Sequence, residues 1–182
     1  MRVIAGEFKG RILQAPKDSQ IRPTSDKVKE ALFSMIAAEL PGAVAIDLFA
    51  GSGGLGLEAV SRGAKRCYFC DSSKESLALV QKNVSICKAE ARSVLVAGPY
   101  QKALRAIPEK ADLIFLDPPY DKKSSRKVLL DCFAEISENE ALREGGVIAA
   151  EHEKDEVLPE AIGGFQKIKE KKYGRVRLTL YG

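Results

Sequence analysis

The strongest constraint on how this chain can fold is an alternation. Five apolar runs of strand length, at 43–49, 66–71, 93–97, 112–116 and 146–150, are separated by segments of helical periodicity. Those segments predict helices over about 55–62, 73–88, 100–107 and 124–136, with Leu77, Val80 and Val84 in phase in the second. Near-continuous apolar strands spaced by helices demand a parallel sheet covered on both faces, an α/β architecture of the Rossmann-like kind. With 182 residues, 45% of them apolar, and no linker-like stretch, one domain over 1–182 is expected.

The two ends depart from the alternation. Two short apolar stretches around a glycine-containing turn, within 2–13, read as a hairpin. A loop over 16–23 follows, and Thr24 or Ser25 can cap a helix running to about Leu40. Its apolar face is Val28, Ala31, Leu32, Met35 and Ile36. Residues 1–23 are thus an extension on a core of 24–182. At the other end, 165–173 and 175–181 predict an antiparallel hairpin closing the sheet. Val176, Leu178 and Leu180 alternate there with Arg175, Arg177 and Thr179, the pattern of a half-buried strand.

Charge divides along the same lines. The net charge of +4 splits into +3 over 1–30, −4 over 31–164 and +5 over 165–182. Basic ends fit a polyanionic partner, and equally fit solvated surface. No apolar run approaches the roughly 20 residues of a membrane span. The start lacks the apolar segment of a signal peptide, so a cytoplasmic protein is expected. Cys67 and Cys70 are spaced C-x-x-C, but inside a strand-like run without a turn. Reduced, buried thiols are therefore expected of them, and of Cys87 and Cys132. No cluster has metal-ligand spacing. The single histidine, His152, lies in no nucleophile motif.

Two motifs carry chemistry. Asp47-Leu48-Phe49-Ala50-Gly51-Ser52-Gly53-Gly54-Leu55-Gly56 leaves the first parallel strand and opens a helix. Its G-x-G-x-x-G spacing permits a tight turn and close approach of a ligand to the backbone. Asp71 ends the second strand, where its carboxylate can accept hydrogen bonds from ribose hydroxyls. Both a nicotinamide dinucleotide and S-adenosylmethionine would use this layout. Asp47 favours the second, because a carboxylate suits an ammonium and a sulfonium and repels a pyrophosphate.

The other motif, Asp117-Pro118-Pro119-Tyr120, ends the fourth strand and so lies on the same sheet edge. The prolines fix the backbone and donate no hydrogen bond, leaving carbonyls as acceptors. The Asp117 carboxylate adds an acceptor and the Tyr120 ring a stacking face. Together these groups suit a planar base with an exocyclic amine.

With those two motifs the chain resembles the amino-group methyltransferases that act on nucleic-acid bases. More closely it resembles the RsmD family of 16S rRNA guanine-N2 methyltransferases. The resemblance runs through Arg2-Val3-Ile4-Ala5-Gly6, Lys9-Gly10-Arg11 and Arg22-Pro23-Thr24-Ser25-Asp26-Lys27-Val28-Lys29-Glu30-Ala31-Leu32-Phe33. It continues through Leu55-Gly56-Leu57-Glu58-Ala59, Ser61-Arg62-Gly63-Ala64, Asn83, Ile114 to Tyr120, Glu151 and Lys172-Tyr173-Gly174.

The resemblance implies a class I methyltransferase fold, with a seven-stranded sheet, an antiparallel C-terminal hairpin and an N-terminal β-hairpin extension. It implies S-adenosylmethionine as cofactor, and 16S rRNA in the 30S subunit or an assembly intermediate as substrate. Asp47, Leu48, Phe49, Ala50, Gly51, Ser52 and Gly53 would wrap the methionine part and Asp71 the ribose. Arg22 and Thr24 would lie by the cofactor or target base. Asp117 and the Pro118 carbonyl would hold the amine, with Pro119 shaping the turn and Tyr120 stacking on the base. Arg2, Lys9, Arg11 and Arg22 would grip phosphates beside the active edge.

One departure stands out. Where the family carries an acid after the third strand, this chain has Pro99, so the adenine contact must come from a backbone carbonyl or Gln101. Competing readings are an adenine-N6 methyltransferase on DNA or another RNA, an NAD-dependent oxidoreductase, and a non-catalytic nucleic-acid-binding module. A DNA enzyme would need a target-recognition domain, for which there is no room. An oxidoreductase would leave the second motif idle, and a binding module would have no use for an intact one. A monomer without metal or membrane partner is expected.

Overall fold

The computed structural model describes residues 1–16, 25–119 and 125–182. Arg22, Thr24 and Tyr120 of the expected site lie outside them. Helix α1 (Asp26–Met35) starts at Ser25, whose hydroxyl accepts a hydrogen bond from the Val28 N–H, so Ser25 caps it. It stops short of the expected Leu40. A 3-10 turn (Ala37–Glu39) continues the path and keeps Ile36 and Leu40 buried.

Five parallel strands follow, β1 (Val44–Asp47), β2 (Arg66–Asp71), β3 (Ser93–Ala97), β4 (Ala111–Leu116) and β5 (Leu142–Glu153). Their crossovers are α2 (Gly54–Ser61), α3 (Lys74–Cys87), α4 (Tyr100–Ala106) and α5 (Ser125–Glu138). Antiparallel β7 (Phe165–Tyr173) and β8 (Val176–Tyr181) close the sheet, as the hairpin pattern predicts. A two-residue β6 (Ala161–Ile162), too short to show a period, adds an eighth strand to the expected seven. The order is β3-β2-β1-β4-β5-β8-β7-β6.

Each face buries its own core. Phe33 of α1, Leu57 of α2, and Val80 and Val84 of α3 pack with Phe69, Phe115 and Leu178 on one face. Leu104 of α4, and Leu129 and Phe133 of α5, pack with Ile114, Ile148 and Tyr181 on the other. Cys67 belongs to the first core and Cys70 to the second, so their side chains diverge. All four thiols are buried and free, and burial pushes those of Cys67 and Cys70 up.

The N-terminal extension keeps only part of the expected hairpin. Its legs run antiparallel with one bridge, Arg2 to Ile12, and the bonds Val3 N–H to Arg11 O and Leu13 N–H to Met1 O. After one more cross-arm bond, Gly10 N–H to Val3 O, the ladder ends, and helix side chains take the next backbone groups. Glu58 accepts from Ile4 N–H (2.8 Å) and Ala5 N–H (3.0 Å), and the Ser61 hydroxyl accepts from Phe8 N–H (2.9 Å). Glu58 is itself buried and also binds Lys29 (3.1 Å) and Arg62 (2.8 Å), while Lys29 donates to Arg2 O. One carboxylate thus ties the arm, α1 and α2 together.

The expectation of a half-buried β8 is corrected. Both of its faces are covered, with Arg177 4% and Thr179 0% exposed. Arg177 donates to Lys154 O (2.7 Å) and pairs with Glu170 (2.6 Å), while Thr179 Oγ1 meets His152 Nε2 at 2.8 Å. Alternating polarity signals exposure only where the polar groups face water; here they satisfy one another across β5, β8 and β7. Lys167 is likewise drawn in, onto Glu160, Glu170 and Leu158 O.

Burial holds His152 down to about 4, against 6.5 for a free imidazole. The unfolded chain therefore binds the extra proton between those values. The associated stability, at most roughly 3 kcal/mol, is present above pH 6.5 and lost as pH falls through 4. We predict that thermal melts of His152→Gln lose less melting temperature from pH 7 to 4 than wild type. Equal losses would contradict this account.

Candidate active site

The C-terminal ends of β2, β1 and β4 stand side by side and carry Asp71, Asp47 and Asp117. In doubly wound sheets this edge is where ligands bind. Leaving β1, the chain is guided backbone atom by backbone atom: Leu48 N–H bonds Phe115 O and Ala50 N–H bonds Cys70 O. Gly51 (φ 54°) and Gly53 (φ 80°) then take left-handed conformations that a side chain would strain. Two carboxylates hold the result. Asp71 accepts from Gly51 N–H (2.9 Å) and Ser73 N–H (2.8 Å), and Asp47 accepts from Gly56 N–H (3.0 Å).

The three motif glycines have different work. A Cβ on Gly51 would meet nothing nearer than 3.9 Å, so its backbone is open to a ligand. A Cβ on Gly56 would sit 2.3 Å from the Phe69 ring and 2.7 Å from Cys67 Sγ. Gly56 therefore serves the close packing of α2 on β2 and leaves ligand approach to the turn. Asp47, expected as a ligand contact, lies under the turn and is only 2% exposed. Burial foremost, then the charge of Asp71, pushes its carboxyl up to about 7.

Around the turn, Leu48 and Ala50 are buried, Phe49, Gly51, Ser52 and Asp71 half-buried, and the Phe49 ring lies 5.8 Å from that of Tyr100. Pro99 caps α4 with extended backbone, and its carbonyl accepts from Lys102 and Ala103 N–H. That carbonyl serves the helix, and Gln101, two residues on, is half-buried. Asp117 is half-buried, Pro118 buried and Pro119 exposed. Open clefts of about 400 and 260 Å³ lie at the opposite end of the sheet, around Pro108 and Asn139 and around Pro41 and Arg143. Neither touches these residues. Among the described residues no group of His, Cys, Asp and Glu could hold a metal, and no helix is long and apolar enough to cross a membrane.

The basic residues distribute unexpectedly. The open end of the arm reaches the active edge, where Met1 Sδ lies 3.6 Å from Ser52 Oγ and Arg2 pairs with Asp26 at the start of α1. The arm's turn lies at the other end of α2, beside Ser61, which leaves Lys9 about 12 Å down the helix from the edge. Arg11 donates to Ile86 O (2.7 Å) and stacks over Phe8. The β7–β8 turn, by contrast, rises above the edge. Ala150 pairs with Leu116 at the end of β4, and Glu153, three residues further up β5, pairs with Val176. Lys171, Lys172 and Arg175 are exposed there.

Asn83, matched in the sequence but given no role, is the site residue that sequence reasoning missed. From α3 it donates to Ser52 O (2.8 Å) and Gln14 O (3.0 Å) and accepts from Gln14 N–H (2.8 Å). A buried Asn on the apolar face of a helix was the available signal.

A parallel sheet closed by an antiparallel hairpin, with a glycine turn and acids on one edge, defines a methyltransferase of class I. The chain belongs to the family described as "Conserved hypothetical protein 95", whose model matches residues 1–182. This is the RsmD family of the sequence resemblance. It is 33% identical over 186 residues to Ribosomal RNA small subunit methyltransferase D of Haemophilus influenzae, covering 100% of this chain and 93% of the relative. The protein of that name from Escherichia coli K12 is 32% identical over 182 residues, covering 100% and 89%. The solved yhhF protein of Escherichia coli superposes with TM-score 0.86 at 30% identity, over 100% of this chain and 96% of that one. The chain is accordingly a methyltransferase.

Gly56→Ala should cost about 1–3 kcal/mol, because the added methyl overpacks Phe69 and Cys67. Chemical denaturation would show it as a lowered midpoint, and an unchanged midpoint would contradict this packing.

Proposed function

We propose that the chain transfers a methyl group from S-adenosylmethionine to the exocyclic N2 amine of a guanine in 16S rRNA. The 30S subunit or an assembly intermediate is the substrate, and the enzyme acts as a cytoplasmic monomer. One observation carries the reading: β4 delivers Asp117-Pro118-Pro119 to the same edge as the glycine turn and Asp71. The relatives named for small-subunit rRNA support that substrate over adenine N6 in DNA.

The residues present fit the cofactor. Gly51 offers open backbone, and each Asp71 oxygen, though engaged by one N–H, retains an acceptor site for a ribose hydroxyl. Asp47 supplies negative charge beneath the turn, suited to a ligand bearing an ammonium and a sulfonium. When bound, S-adenosylmethionine supplies an electrophilic methyl on a sulfonium leaving group.

The chain's own residues then act on the base. The lone pair of guanine N2 is delocalised into the ring. Hydrogen bonds from the amine to Asp117 and the Pro118 carbonyl localise that pair and aim it along the carbon–sulfur axis. The nitrogen gains positive charge as its bond to carbon forms, so the Asp117 carboxylate stabilises the transition state more than the ground state. The amine proton then leaves, with the carboxylate as the nearest acceptor. Pro119 keeps the turn rigid, Tyr120 stacks on the flipped base, and Arg22 and Thr24 approach the pocket. For phosphate contacts, Arg2 at the open end of the arm and the hairpin-turn cations Lys171, Lys172 and Arg175 are available by the edge, while Lys9 and Arg11 can meet only RNA running down the arm.

The test is tritiated methyl transfer to 30S subunits that lack the mark, followed by nucleoside analysis. N2-methylguanosine is expected; N6-methyladenosine would overturn the reading. Asp117→Ala should lose nearly all turnover yet bind S-adenosylmethionine as wild type does, and wild-type turnover would refute its role. The raised Asp47 carboxyl predicts a pH effect, because a cationic ligand favours the ionised form. Affinity for S-adenosylmethionine should fall as pH drops below about 7, towards tenfold per unit. Asp47→Asn keeps an acceptor for Gly56 N–H and should flatten this dependence. Calorimetric titrations from pH 8 to 6 with the same slope in both proteins would count against it.

A further inference from the structure

Asn83 hydrogen-bonds both the cofactor turn and the N-terminal arm. We infer that it is a positioning residue that couples binding of the cofactor to binding of RNA. The inference rests on the proposed function, in which the turn holds S-adenosylmethionine and the arm meets rRNA.

The geometry is specific to an amide. Oδ1 accepts from Gln14 N–H while Nδ2 donates to Gln14 O, pairing with that residue's main chain as a neighbouring strand would. The remaining Nδ2 hydrogen goes to Ser52 O at 2.8 Å. Asn83 is 0% exposed, so all three bonds form away from competing water. No shorter or charged side chain offers one acceptor and two donors at this reach. Asp would lose both donations and set a carboxylate against two carbonyls.

At the start of the arm, Met1 Sδ takes a weak, long hydrogen bond from Ser52 Oγ at 3.6 Å, while the rest of the arm is anchored elsewhere. Glu58 and Ser61 of α2 hold its middle and its turn, and neither touches Ser52. A ligand that settles the glycine turn thereby settles Ser52 O, and through Asn83 the path of the arm at Gln14. Linkage makes the effect reciprocal: RNA held by the arm must tighten the cofactor site by the same factor.

The test is a binding cycle with S-adenosylhomocysteine, which cannot react, and unmethylated 16S rRNA. In wild type each ligand should raise affinity for the other by about fivefold or more. Asn83→Asp should bring that factor close to one, raise both KM values, and leave kcat at saturation unchanged, because Asn83 touches no reacting atom. Ser61→Ala loosens the arm without touching the turn, so it should lower the melting temperature and keep the wild-type factor. Gln14→Pro removes the N–H from the arm side, and should lower the factor even if Asn83→Asp fails to fold. A factor of one in active wild type, or a wild-type factor in both Asn83→Asp and Gln14→Pro, overturns the inference alone. A wild-type protein that does not methylate the rRNA overturns the functional reading and this inference with it.

Discussion

The site depends on two carboxylates capturing backbone N–H groups of the turn after β1. Asp71 takes Gly51 and Asp47 takes Gly56, so the turn is clamped at its entry and at the start of α2. Two left-handed glycines would otherwise leave this segment a large conformational entropy to lose. The clamps have opposite electrostatic consequences. Asp71 stays partly open to solvent and can still accept from a ligand. Asp47 is sealed in, and burial makes its charge costly.

A second buried carboxylate organises the surroundings. Glu58 receives two arm N–H groups and pairs with Lys29 and Arg62. A buried ion group of this kind is weak evidence for stability, since desolvation offsets the attraction. Its geometry is what matters here. Removing any partner would leave buried charge uncompensated, so the arm, α1 and α2 can assemble in one arrangement and few others. The arm therefore behaves as part of the catalytic core, although its own ladder amounts to one bridge.

Much of this was legible in the chain. The strands at 66–71, 93–97 and 165–173 have the bounds that their strand-like runs mark. The glycine motif, Asp71 and Asp117 reach one edge because parallel strands joined by right-handed crossovers leave no other arrangement. The misreadings share a cause. Alternation along β8 places Arg177 and Thr179 on a solvated face, and the structure buries both. Polarity shows in the sequence; whether a polar group is met by water or by another polar group does not. Asn83 went unread for the same reason, since its partners lie 31 and 69 residues away.

The sequence by itself determined the class: an α/β chain whose motifs call for a cationic nucleoside cofactor and a planar amine. Those are consequences of local periodicity and of residue chemistry at short spacing, which survive without coordinates. Only the tertiary structure decided the duties within each motif. It assigned Gly51 to an open backbone and Gly56 to helix packing, and placed Asp47 beneath the turn. It also placed the basic residues, lifting the C-terminal turn above the active edge, keeping Arg2 beside it and sending Lys9 down the arm. Such choices depend on strand register and on which long-range partner reaches a buried polar group first. Neither is written in any window of the sequence.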